Sequence, residues 1–138
     1  IVPVYTARST GRLDAKRKVR KLEHWKGVVQ HATEQSGRSM VPTIDPIQEL
    51  KENVIALVRL NAYVLDPLSK TPLSKQKPSS NKIAIIAGPE GGFDGNEIHQ
   101  LSLRYGAVSV SLGPRTLRTE TAAVCALSVI QALWGDLG

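Results

Sequence analysis

The run Ile83-Ala84-Ile85-Ile86-Ala87 is apolar without interruption and breaks directly into Gly88-Pro89-Glu90-Gly91-Gly92. No other feature narrows the possible folds as much. A short apolar run closed by a glycine-rich turn reads as a buried strand. Residues Asp94 to Tyr105 then have the spacing of a short amphipathic helix, with Ile98, Leu101 and Tyr105 inward and Gly106 as its end. Ala107 to Leu112 is a second strand candidate, and it too runs into a rigid turn, Gly113-Pro114-Arg115. Strands alternating with helices predict an α/β fold around a mainly parallel sheet flanked by helices.

The rest of the chain extends this pattern. Ile1 to Tyr5 has the look of a strand end. A helix is predicted from Asp14, a favourable N-cap, to about Gln35, with Val19, Leu22, Trp25, Val29 and Ala32 on one face and Gly37 placed to close it in a left-handed cap. Val41 to Ile44 is a short strand candidate, and Asp45-Pro46 signals a brief helix through Leu50. The apolar stretch Val54 to Leu65 divides into a packed segment and a strand at Leu60 to Leu65. Residues 67–81 are rich in Pro, Ser and Lys and predict an exposed loop outside the core. The last helix, Thr119 to Trp134, is apolar on nearly every face and must therefore be covered all round, by another segment or by a dimer partner.

Composition excludes several classes. With 138 residues, 41% apolar and 22% charged, the chain fits one globular domain rather than a disordered tail. No apolar run approaches the roughly 18 residues of a membrane span. The single Cys125 has no internal disulfide partner and reads as inert core, which favours a reducing compartment. His24, His31 and His99 show no metal-ligand spacing and predict solvated positions, while Trp25 and Trp134 predict packing. The chain opens on Ile1 rather than Met, and a fragment of a longer protein is expected.

The net charge of +6 is concentrated at one end. Residues 1–38 carry nine basic side chains, among them Arg8, Arg12 and Arg38, against Asp14, Glu23 and Glu34; the remainder balances to zero. Such asymmetry is the footprint of a polyanion-docking surface, though a solvated helix face would also account for it.

Three strand exits carry the chemistry: Leu65-Asp66-Pro67, the turn from Gly88 to Gly92, and the segment Leu112-Gly113-Pro114-Arg115-Thr116-Leu117-Arg118-Thr119-Glu120-Thr121. In open α/β sheets ligands bind at the carboxyl ends of strands, so three such exits could line one pocket. Neither glycine turn matches a phosphate-cradling fingerprint. Taken together with Glu34-Gln35-Ser36-Gly37-Arg38 and Val41-Pro42, the two Gly-Pro segments resemble the SPOUT methyltransferases, and within them the RsmE family. The closing Gly135-Asp136-Leu137-Gly138 is similar as well.

That resemblance, which covers almost the whole chain, implies a methyltransferase domain over residues 1–138 with a C-terminal trefoil knot. It implies methylation of N3 of a uridine in bacterial 16S ribosomal RNA, with S-adenosylmethionine as methyl donor and no metal. By position, Leu65, Gly88, Pro89, Glu90, Gly91, Leu112, Gly113, Leu117 and Arg118 would line the donor pocket. It further implies a cytoplasmic homodimer paired through the knot, acting on the small ribosomal subunit and not at a membrane. An N-terminal PUA-like RNA-binding domain and the first strand and helix of the catalytic domain would precede Ile1. At the exit after Leu65 the family often carries His-Pro, where this chain has Asp66-Pro67.

Uridine N3 is protonated at neutral pH, so its methylation needs the proton removed and the resulting charge held. Arg118 or Arg38 is the candidate for holding O2 or O4, and Glu120 or Glu34 for taking the proton. Arg8, Arg12 and Arg38 are candidates for gripping RNA phosphates. Glu120 has a competing account as a stabiliser of the last helix's start, and Glu34 as a plain helix-end polar group. Two rival functions are an RNA-binding module without catalysis and a related enzyme acting on ribose 2′-OH.

Overall fold

The computed structural model describes residues 1–50, 57 and 59–137. Two compact units emerge, one formed by Ile1–Tyr5 and Ser9–Asn53, the other by Thr6–Arg8 and Val54–Gly138.

In the first unit, strand β1 (Val4–Tyr5) pairs in parallel with β2 (Gln48–Glu49). Helix α1 (Ala15–Gln35) lies between them in sequence. Its start follows the sequence signal: the Asp14 carboxylate accepts from the Arg17 N–H at 2.8 Å, satisfying one of the helix's orphan donors. Its end does too. Gly37 adopts φ +67°, which lets Gly37 N–H reach the Glu34 carbonyl at 3.2 Å and Arg38 N–H the Thr33 carbonyl at 3.1 Å. On the predicted apolar face Leu22, Trp25 and Val29 are half-buried, whereas Val19 and Ala32 are exposed.

Two local expectations fail in this unit. Residues 41–44 form no strand, and no helix starts at Asp45. The backbone donors are instead spent on a ladder with the chain's first residues: Asp45 N–H bonds the Ile1 carbonyl at 2.9 Å, Gln48 the Pro3 carbonyl at 3.0 Å, and Leu50 the Tyr5 carbonyl at 2.9 Å. A parallel partner more than 40 residues away satisfies the groups that a short helix would have left open at its ends.

The second unit is built on a parallel sheet in the order β4-β3-β5, with β3 (Asn61–Leu65) central, β4 (Ile83–Ile86) and β5 (Val108–Val110) outside. Ala62, Tyr63 and Val64 of β3 are buried, as a central parallel strand requires. Residues 54–56 and 58 of the expected packed segment lie outside the described residues. Helix α2 (Gly95–Tyr105) joins β4 to β5 and begins with a reciprocal cap, Asp94 Oδ1 accepting from Glu97 N–H at 2.7 Å and Glu97 Oε2 from Asp94 N–H at 3.0 Å. Leu101 of α2 is fully buried, with Ile98 and Tyr105 half-buried on the same side.

Helix α3 (Thr119–Trp134) packs against β4 and a 3₁₀ turn at Leu73–Lys75, and Trp134 stacks on Tyr63 at 6.3 Å between ring centroids. The core comprises Tyr63, Leu73, Val110 and Ala126 with Ile85, Ile130 and Trp134 against it. Leu73 overturns the reading of residues 67–81 as wholly exposed: it is 1% accessible. The polar loop returns to bridge Pro72 to Ser111, where Leu73 N–H bonds the Ser111 carbonyl at 3.0 Å and drops its side chain inward. Helix α3 is covered on one side alone within the chain. Ala126 is buried, but Val124 and Leu127, about one turn apart, are 64% and 55% exposed, so a single chain covers only one side of this apolar helix. Among the described residues no helix is long and apolar enough to cross a membrane.

Candidate active site

All strands of the larger sheet run the same way, so their carboxyl ends meet at one edge. There the exits of β3, β4 and β5 enclose a cavity of about 520 Å³. Its walls contain Leu65, Gly88, Pro89, Glu90 and Gly91 from the first two exits and Leu112, Gly113, Leu117 and Arg118 from the third. These nine residues are the ones that the family resemblance picks out by position.

Local chemistry shapes each exit. After β3, Asp66 N–H bonds the Val110 carbonyl at 2.9 Å, while its carboxylate accepts from Leu68 N–H at 2.9 Å across Pro67. That side-chain-to-backbone turn directs the chain away from the sheet. After β4, Gly92 N–H closes a turn onto the Pro89 carbonyl at 2.8 Å. Gly88 is required by contact: a Cβ there would lie 2.9 Å from the Phe93 ring, which is itself buried. After β5, Gly113 sits at φ +99°, a conformation that other residues rarely adopt. The chain then leads into α3, with Arg118 as the N-cap residue.

The lining is mixed in polarity. Leu65, Phe93, Leu112 and Leu117 supply apolar surface; Arg8, Arg115 and Arg118 supply positive charge, and Asp66 and Glu90 negative charge. Phe93, Arg115 and Thr116 line the cavity as well, within or directly beside the glycine turns, and no local pattern in the sequence marks them for that position. Arg8 is also found here, its Nη1 donating to the Gly91 carbonyl at 2.7 Å.

Other sequence candidates lie elsewhere. Glu120 is exposed in the first turn of α3 and is not among the lining residues, a position that suits interaction with the helix N-terminus. Arg12, Glu34 and Arg38 belong to the first unit. Arg12 makes a two-pronged ion pair with Glu49, at 2.8 and 3.2 Å. Glu34 accepts from Gln30 Nε2 at 3.1 Å, and Arg38 is exposed with no carboxylate against it among the described residues. Burial in the core beside Trp134 raises the phenol pKa of Tyr63 above its ordinary 10.0. Among the described residues no cluster of three or more His, Cys, Asp or Glu side chains could hold a metal ion.

Comparison with known proteins identifies the fold and its family. Residues 1–131 match a family model described as an RNA methyltransferase domain. The chain is 33% identical to ribosomal RNA small subunit methyltransferase E of Bacillus subtilis, over 94% of this chain and 54% of that protein. It is 32% identical to the Mycobacterium tuberculosis protein of the same name, over 92% of this chain and 50% of that protein. It thus spans about half the length of such relatives. A crystal structure of ribosomal RNA small subunit methyltransferase E from Neisseria gonorrhoeae, bound to S-adenosyl methionine, superimposes with a TM-score of 0.84 at 33% identity, covering 99% of this chain and 55% of that one. A Legionella pneumophila protein solved with the cofactor SAM gives 0.76 at 37% identity, covering 95% of this chain and 54% of that one. A parallel sheet whose three exits share one cavity, and a sequence matched over more than nine-tenths of its length by these proteins, lead to one assignment: the chain belongs to the RNA methyltransferase domain family, alongside ribosomal RNA small subunit methyltransferase E.

Proposed function

We propose that this chain is the catalytic portion of an S-adenosylmethionine-dependent enzyme that methylates N3 of a uridine in bacterial 16S ribosomal RNA. The observation that carries the reading is the convergence of three strand exits on one cavity of about 520 Å³. That volume is in the range of small-molecule sites, roughly 300–1,000 Å³. The lining fits the donor chemically. Backbone groups in the turns at Gly88–Gly92 and Leu112–Gly113 can read an adenine edge, the leucines can cover its faces, and Arg115 or Arg118 can meet a carboxylate.

S-adenosylmethionine, when bound, supplies an electrophilic methyl group on its sulfonium. The chain's task is to align a nucleophile with that methyl and make it reactive. Arg118 stands at the start of α3, where the helix dipole adds to its charge, and it would hold O2 or O4 as negative charge develops. Arg38 is the alternative for that role. Glu120 or Glu34 would take the N3 proton. Arg12 and Arg38 would grip phosphates, a role supported by the concentration of the net charge in residues 1–38.

The finer features belong to the same proposal. The enzyme is a homodimer paired through α3, because Val124 and Leu127 remain open to solvent in one chain. Its C-terminal segment forms a trefoil knot, and it works in the cytoplasm on the small subunit. A PUA-like domain and the first strand and helix of the catalytic domain precede this stretch in the whole protein.

Equilibrium dialysis with labelled S-adenosylmethionine tests the cavity, and saturable uptake is expected. An absence of uptake would leave an RNA-binding module. Digestion of methylated 16S RNA to nucleosides tests the product: 3-methyluridine is expected, and 2′-O-methylated nucleosides would reassign the reaction to ribose.

A further inference from the structure

We infer that Arg8 is a positioning residue for the glycine turn of the cavity, not a grip on RNA phosphate as its charge alone implies. This rests on the reading that the cavity takes S-adenosylmethionine.

Arg8 meets the turn in two ways. Its Nη1 donates to the Gly91 carbonyl at 2.7 Å. Its aliphatic stem also lies over the bare α-carbon of Gly91: a Cβ built there would sit 3.4 Å from Arg8 Cβ and 3.5 Å from Cδ. The guanidinium thus fastens the turn from outside, while the Gly92 N–H to Pro89 carbonyl bond, 2.8 Å, fastens it from within.

The segment that carries Arg8 is itself anchored. Ala7 N–H donates to Glu97 Oε1 at 2.7 Å. The other oxygen of that carboxylate, Oε2, accepts from Asp94 N–H at 3.0 Å, inside the reciprocal cap that starts α2. A single glutamate therefore ties residues 6–8 to the start of α2, and Arg8 ties them to the turn just before it. Gly88, Pro89, Glu90 and Gly91 of this turn line the cavity. A glycine-rich turn left to itself samples many conformations and has to be ordered when a ligand arrives. Fastening it beforehand removes that cost from binding.

Arg8→Met keeps the stem and loses the fork, whereas Arg8→Lys keeps a charged donor. In Arg8→Met the dissociation constant for S-adenosylmethionine, read by calorimetry, should rise about tenfold. Amide hydrogen exchange at Gly92 in the ligand-free protein should quicken, while RNA affinity and its salt dependence stay as in wild type. Arg8→Lys should restore most of both, and Glu97→Gln, which can accept only one of the two amide bonds, should shift both in the direction of Arg8→Met. Arg8→Gln repeats the test should Arg8→Met not fold.

Wild-type values for donor affinity and Gly92 exchange in Arg8→Met would overturn the inference. So would a fall of about one in the slope of log affinity against log salt, the mark of a lost phosphate contact. If wild-type protein takes up no S-adenosylmethionine, the methyl-donor reading fails, and Gly92 exchange still decides whether Arg8 orders the turn.

Discussion

The Phe93 ring fills the space that a side chain on Gly88 would need: Cε2 lies 2.9 Å from an ideal Cβ at that position. Phe93 is only 8% exposed, so its ring has little freedom to retreat. Gly88→Ala should cost about 1–3 kcal/mol of stability by overpacking and weaken donor binding as the turn shifts. Adding Phe93→Leu to it should recover part of both losses. Urea unfolding and calorimetry on the two single variants and the double variant measure this coupling, and strictly additive losses would contradict the contact.

A second prediction concerns alkaline stability. Burial raises the Tyr63 phenol pKa above 10.0, so the folded protein keeps a proton that the unfolded chain releases. The stability linked to that proton is complete below pH 10 and is lost as pH climbs through the folded-state value. Thermal melts from pH 10 up to the folded-state value should show wild type losing Tm faster than Tyr63→Phe, with the gap between them changing steadily over that window. Parallel curves would remove Tyr63 from the transition.

Arg12 and Arg38 should differ in their hold on RNA. Arg12 shares its charge with Glu49, the carboxylate at 2.8 Å being only 20% exposed, whereas Arg38 faces no carboxylate among the described residues. Arg38→Ala should therefore lower the slope of log affinity against log salt by about 0.7–0.9, the release expected for one phosphate contact. Arg12→Ala should lower it by less. Filter binding across a salt series reads both, and equal slopes in all three proteins would exclude phosphate contacts at these positions.

Leu127 tests the pairing of two chains. It is 55% exposed, so Leu127→Glu should change the stability of the single chain by no more than about 0.5 kcal/mol. In a dimer joined through α3 the same charge would be buried without a partner and should split it. Sedimentation equilibrium is expected to find dimers for wild type and monomers for Leu127→Glu. A monomeric wild type would end this reading of the helix.

How much of this was legible in advance depends on how far apart the interacting groups lie in the chain. Asp14 and Gly37 delimit α1, and Asp94 with Gly106 delimits α2, because caps act over three to five residues and depend on chemistry written side by side. The strands Asn61–Leu65, buried at its centre, and Ile83–Ile86, half-buried apart from Ile86, are likewise visible as apolar runs, and most residues of the cavity belong to the strand exits that the resemblance picks out. The same local rules misled wherever a distant partner outbid them. Asp45-Pro46 signals a helix, yet the first residues of the chain take its backbone bonds. Leu73 sits in a polar loop, yet pairing of its neighbour with Ser111 carries it into the core. Arg8 looks like one cation among nine, and only the fold brings it to Gly91, 83 residues away. Sequence determined the elements, since their signals are short-range hydrogen-bonding and burial preferences. Tertiary structure decided which turns share a cavity and what holds them, since those contacts are chosen by packing between segments that carry no mark of one another.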